Sequence, residues 1–167
     1  MTERWLDDYV PGTVHELGTV SANEAEIIDF AMRFDPQPMH VDPEFAARGP
    51  FGGIIASGWH TCSLMMRPYA LHYLSPVSSL SAPAIDELRF LRPTRPGEPL
   101  RVRVTVEHAR RSTSKPDRGV VRSRVELLDR DGAQVMTLCV VNLIACRPAG
   151  AREPAGAGRA AGNAGTA

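Results

Sequence analysis

Asp35 and His40 end the run Asp35-Pro36-Gln37-Pro38-Met39-His40. A histidine changes charge near neutral pH, and a carboxylate beside it can orient the ring or work on the same water. The two residue types together suit general acid–base catalysis. Two prolines in three positions hold φ near its fixed value. They would fix the separation of the two titratable ends, and fixed geometry supplies much of a catalytic advantage. A plainer role fits the same residues: Asp35 capping a turn, and His40 a loop side chain with its hydrogen bonds met.

Ser57-Gly58-Trp59 is the second constellation. A glycine at the start of a helix leaves backbone N–H groups free and lets a ligand approach the chain closely. The positive end of the helix dipole points the same way, which suits the oxygen of a polarised carbonyl. The simpler alternative is a tight turn at Gly58, with Gly52-Gly53 as loop glycines. His15, His60, His72 and His108 have no comparable setting. His40, Asp42 and His60 can be drawn as a metal set, but the spacing is not that of a ligand motif, and Asp42 has a helix to cap. No metal is expected. Cys62 falls in an apolar helical run, where a thiol packs and its pKa rises, so it is a poor nucleophile. Arg101, Arg103, Arg122 and Arg124 alternate along strands and read as the solvated face of a sheet rather than a grip on cofactor phosphates.

These residues need elements to place them. Ser21 and Glu24 form a capping-box pattern, and Ala25, Ile28 and Met32 recur at helical spacing, which predicts a helix over 22–33. A residue before proline is pushed out of the α region, so the helix should end at Asp35. Asp42 as N-cap and Pro43 at the first position should start a second, short helix. Asp35 and His40 then sit at the ends of a stiff, non-helical connection. The run from Trp59 to Ser75 is apolar on most faces and predicts a buried helix beginning at Ser57 or Gly58, kinked or split by Pro68. The chain after residue 82 reads as strands in an antiparallel meander. The clearest is Leu100, Val102, Val104 and Val106 against Arg101, Arg103, Thr105 and Glu107, and two more flank an Asp131-Gly132 turn. One buried helix and a long antiparallel sheet suggest that the sheet wraps the helix.

Composition narrows the partners. The 167 residues suit one domain, and a formal net charge of zero, with Lys115 the only lysine, favours neither nucleic acid nor an anionic membrane. Three cysteines at these spacings form neither a disulfide framework nor a zinc pattern. The acidic N-terminus has no apolar signal core and no run approaches a membrane span, so a cytoplasmic protein is expected. A folded domain over 1–148 and a disordered Ala/Gly-rich tail over 149–167 are predicted, because the tail has no large apolar residue to bury.

The segment DPQPMHVDP resembles the D-x-N-P-x-H-x-D-P signature of the MaoC-like hydratases, the (R)-specific enoyl-CoA hydratases. FGGIIASGWHT is similar to the segment that opens their central helix, and LRFLRPTRPGEPLRVRVTV to their strand-turn-strand region. The resemblance spans roughly residues 10 to 147. It implies an α+β fold: a single hotdog domain, a long antiparallel sheet wrapped around a central helix, and a homodimer with one continuous sheet. The implied ligand is an acyl-CoA or acyl-carrier-protein thioester, and the implied reaction is reversible addition of water to a 2-enoyl thioester, a hydro-lyase activity that needs no cofactor. Asp35 and His40 would hold the attacking water, one taking its proton while the other delivers a proton to the α-carbon. The Gly58 N–H would stabilise the enolate-like oxygen. Gln37, Ser57 and Trp59 would contact substrate. Gln37 stands where the signature has asparagine, and Ser57 where the family has histidine. Trp59, Met65 and Met66 are bulky enough to shorten or bend an acyl pocket. Two other readings remain: a hotdog thioesterase, which typically lacks this Asp/His pair, and a non-catalytic acyl-binding subunit, to which Gln37 lends some support.

Overall fold

The computed structural model describes residues 3–149. Five antiparallel strands, β1 (Val14–Val20), β2 (Ser79–Phe90), β3 (Leu100–Arg111), β4 (Arg118–Leu128) and β5 (Gln134–Ala145), form one sheet in the order β1-β3-β4-β5-β2. Strands β3, β4 and β5 are the expected meander. The first two strands depart from it, because β1 pairs with β3 at one edge and β2 crosses to pair with β5 at the other. The alternation read in β3 holds, with Leu100, Val102, Val104 and Val106 all fully buried on the inner face.

The outer face is charged and internally paired. Arg103 faces Glu126 in register and bonds it at 2.9 Å. Arg122 reaches Asp86, Glu87 and Glu107, and Arg124 also bonds Glu107. Cross-strand pairs of opposite charge support a sheet modestly. The β4–β5 turn is built by Asp129, whose Oδ1 accepts from the N–H groups of Asp131 and Ala133, while Gly132 takes φ +84°, a region glycine enters at little cost.

The helices lie between β1 and β2 in the chain. Helix α1 (Glu24–Phe34) begins two residues later than the Ser21 pattern implied. Asn23 is the N-cap, accepting from Glu26 N–H at 2.9 Å, and Glu26 returns a bond to Asn23 N–H. Both tetrads have the right chemistry, and packing chooses between them: Ile27 and Ala31 are buried, whereas Met32 of the expected stripe is 62 % exposed. The helix ends at Asp35, as its following proline requires. The connection is not wholly non-helical, however. Pro38 opens a helical turn, α2 (Pro38–Val41), which carries His40. Proline's fixed φ suits a first helical position as well as an extended one. Asp42 then caps α3 (Pro43–Arg48) through Phe45 N–H at 3.0 Å, as anticipated.

Helix α4 (Gly58–Pro68) lies in the concave face of the sheet, where Met65 joins the main core. It is not buried all round. Trp59 is 62 % exposed and Met66 44 % exposed, so an apolar side chain alone did not place a face inside. Pro68 neither splits nor simply kinks the helix. It has no N–H to offer, and the chain widens directly into a π-helical turn over Tyr69–Tyr73, whose two tyrosines pack into the core. A long antiparallel sheet curved around a central helix is the single hotdog domain that the signature implied. Apart from Ala149, the expected disordered tail lies outside the described residues. Among the described residues, no helix is long and apolar enough to cross a membrane.

Candidate active site

Three helix ends converge to make the site. Asp35 is the C-cap of α1, His40 sits on α2, and Ser57 and Gly58 start α4. Between them the buried run Ile54–Ala56 is held on both sides. Ala56 N–H donates to Thr94 O at 2.9 Å, and Thr61 Oγ1 lies 3.0 Å from Thr94 Oγ1. Arg95 bonds Phe51 O at 2.7 Å. The β2–β3 loop thus braces the floor of the site.

His40 is 5 % exposed, and its Nδ1 lies 2.8 Å from the carbonyl oxygen of Ile55. A carbonyl only accepts, so Nδ1 must carry a proton, and in the neutral ring Nε2 presents its lone pair. That Nε2 is 3.6 Å from Asp35 Oδ2. Two acceptors at this separation do not bond each other directly, but a water donating one hydrogen to each would satisfy both. Asp35 is held below the usual carboxylate range, first by the Ser57 hydroxyl (2.6 Å to Oδ2), then by the Gln37 amide (2.8 Å to Oδ1), and least by His40. The carboxyl is therefore ionised at neutral pH.

Gly58 is the first residue of α4, so its N–H has no carbonyl within the helix to bond. Its lack of a side chain lets the half-exposed Phe90 ring lie directly against the helix start. A Cβ there would come within 2.6 Å of the Phe90 ring. Asp35, Gln37, His40, Ser57, Gly58 and Trp59 all line one cavity of about 490 Å³. The six residues singled out in the sequence are thus brought together. Within that cavity, Ser57 and Gln37 turn their polar atoms toward Asp35.

Other participants were not legible in the sequence. Ile55 acts through a backbone carbonyl, which no side-chain pattern announces. Phe90 comes from the end of β2, far from the site in the chain. Met39 and Phe51 also line the cavity, and with Gln37 they are shared with a smaller apolar hollow of about 270 Å³.

The remaining candidates have other roles. Burial pushes the Cys62 thiol up, and its sulfur packs 3.6 Å from that of Met136. His60 stacks on Phe30 with centroids 4.5 Å apart, and His15 packs edge-on to Tyr73. Arg103, Arg122 and Arg124 are engaged by carboxylates of the sheet. Among the described residues, no three His, Cys, Asp or Glu side chains gather to hold a metal ion.

Comparison with known proteins bears on the family and the fold. The profile of the MaoC like domain matches residues 9–127. A MaoC-like dehydratase from Rhodospirillum rubrum shares 34 % identity, with a TM-score of 0.80 over 87 % of this chain and 99 % of that one. The R-hydratase PhaJ1 from Pseudomonas aeruginosa, solved in its unliganded form, shares 25 % identity, with a TM-score of 0.68 over 85 % of each chain. An uncharacterised protein, YdeM of Bacillus subtilis strain 168, is 32 % identical over 95 residues, 57 % of this chain and 67 % of its own. With a matching profile over most of its length and the same fold, the chain belongs to the MaoC-like domain family.

Proposed function

We propose that the protein is a hydratase/dehydratase acting on a 2-enoyl thioester of the acyl-CoA type and producing the 3-hydroxyacyl thioester reversibly. The observation that carries this reading is the pair His40 Nε2 and Asp35 Oδ2, two acceptors 3.6 Å apart, with the histidine tautomer set by Ile55 O. Such a pair suits one water held by both its hydrogens. The names of the Rhodospirillum dehydratase and the Pseudomonas hydratase support the same chemistry.

In this reaction the water oxygen bonds C3 of the enoyl group. The π electrons move toward the thioester carbonyl, whose oxygen gains negative charge, and C2 then takes a proton. One proton leaves the water and one arrives at C2, so the Asp35/His40 pair ends as it began. The free N–H of Gly58, at the positive end of α4, is the donor for the developing oxyanion. The thioester itself supplies the electron sink.

The protein is also proposed to work as a dimer. Strand β2 is an edge strand of twelve residues, exposed along both faces, and Leu80, Ile85 and Phe90 are each about half exposed. A long edge of this kind is a template for pairing with a second copy. Phe90 and the neighbouring Leu91 also line the catalytic cavity, so a partner at this edge would help wall it.

The test is a spectrophotometric assay with crotonyl-CoA and longer enoyl-CoAs, with free thiol followed in parallel. Loss of enoyl absorbance without thiol release is expected. Thiol release would instead identify a thioesterase, and binding with neither signal would leave a non-catalytic acyl-thioester binder. Light scattering should give a dimer mass, and Ile85→Lys should shift it toward the monomer.

A further inference from the structure

We infer that Ser57 and Gln37 are positioning residues that clamp Asp35, each donating to a different carboxylate oxygen, so that His40 Nε2 is left as the single proton shuttle of the site. The clamp rests on distances within the chain. Its catalytic consequence rests on the hydration reading above.

The direction of the Ser57 bond follows from its other partner. Trp59 N–H can only donate, and it lies 3.3 Å from Ser57 Oγ. The hydroxyl therefore accepts there, and its one hydrogen is available for Asp35 Oδ2 at 2.6 Å. Ser57 is fully buried and caps α4, so its hydroxyl has no bulk water to turn toward. The second oxygen, Oδ1, receives the Gln37 amide nitrogen at 2.8 Å. Donors on both oxygens stabilise the carboxylate and oppose its protonation. His40 is the smallest of the influences lowering Asp35, so the clamp and not the histidine holds the charge.

Gln37 stands where the resembled signature has asparagine, and Ser57, in the separate segment that opens α4, stands where that family usually has histidine. Both departures act on the same carboxylate. An asparagine at position 37 would be one methylene shorter, and a histidine at 57 would replace the small hydroxyl that bridges Asp35 and the helix start. The two substitutions thus form one device.

A clamped carboxylate orients the water but does not deliver a proton. The proton that leaves the water goes to His40 Nε2 as the water oxygen bonds C3. The same proton passes from Nε2 to C2 as the enolate collapses, and His40 returns to its neutral form. Asp35 remains a carboxylate throughout, and its charge stabilises the imidazolium that forms between the two transfers.

The test follows the Asp35 carboxyl carbon by NMR against pH in the full chain, its signal assigned by its disappearance in Asp35→Asn. Ser57→Ala and Gln37→Met should each raise the Asp35 midpoint, and Ser57→Thr, which keeps the hydroxyl, should retain it. With crotonyl-CoA, Ser57→Ala should lower kcat by up to roughly 100-fold at little change in KM, the effect of a misplaced catalytic group. Gln37 is exposed, so its variant decides the matter even where Ser57→Ala fails to fold. An unmoved midpoint in either folded variant removes that residue and overturns the clamp, whatever the enzyme does to crotonyl-CoA. A midpoint that moves in both, in a protein that hydrates no enoyl thioester, upholds the clamp and overturns the hydratase reading instead.

Discussion

The two ends of the central helix make opposite use of polar groups. At the N-terminal end of α4, Asp35 Oδ2 and His40 Nε2 face each other with hydrogen-bonding capacity to spare, beside a cavity of about 490 Å³. At the C-terminal end, the π-helical turn is closed over by phenols that find their partners inside the protein. Tyr73 OH lies 2.6 Å from Ser123 Oγ, Tyr69 OH accepts from Asn142 at 2.7 Å, and Tyr9 OH donates to Tyr73 O at 3.1 Å. Polar atoms that share bonds with one another stabilise a fold. Polar atoms held rigidly but left incomplete bind something else.

The largest test of this contrast is at the open end. His40→Ala and Asp35→Asn should each abolish hydration of crotonyl-CoA, a loss of at least ~100-fold for removal of the proton shuttle or of the carboxylate that orients the water, while the circular dichroism spectrum stays that of a folded protein. Turnover near wild type in either would remove the assigned site. At the closed end the effect should appear in stability instead. Tyr73→Phe removes the 2.6 Å hydrogen bond to the buried Ser123 hydroxyl and should cost roughly 1–3 kcal/mol in urea denaturation, with kcat per folded molecule unchanged. A large loss of kcat with no loss of stability would mean that the two ends are not separate in function.

The smallest effect is in the pH dependence, and its sign differs between the ends. Burial pushes Tyr9 up to about 12, and raises Tyr69 and Tyr73 further. A raised phenol stabilises the fold fully below the unfolded tyrosine value of about 10, and that contribution is lost as pH rises through the folded values. Stability should therefore fall from about pH 10 upward, and less steeply in Tyr73→Phe. Asp35 is shifted the other way by Ser57 and Gln37. Its contribution is present above the ordinary carboxylate range and is lost as pH falls below it, so Asp35→Asn should flatten the acid side alone. Denaturation midpoints measured across both limbs check the two slopes.

Legibility in the sequence also differs between these regions. The open end was readable because its chemistry is crowded into short segments: prolines set Asp35 and His40, and a glycine marks the helix start. The closed end was not. Tyr69 and Tyr73 read only as part of an apolar helix, and their partners Ser123 and Asn142 lie on β4 and β5, 50 and 73 positions away. The start of α1 was misplaced by two residues because two overlapping tetrads have capping-box chemistry, and only the burial of Ile27 and Ala31 chooses between them.

By itself the sequence determined the local devices: the break at Asp35, the Asp42 cap, the alternation of β3, and the residue types that could work on a water. Those follow from steric limits and short-range hydrogen bonds, which act within a few residues. Tertiary structure alone decided which oxygen of Asp35 meets Ser57, that the Ile55 carbonyl sets the tautomer of His40, and that the Phe90 ring lies against Gly58. Those contacts join segments distant in the chain. Their geometry is set by how the sheet closes around α4, through packing that no local pattern encodes.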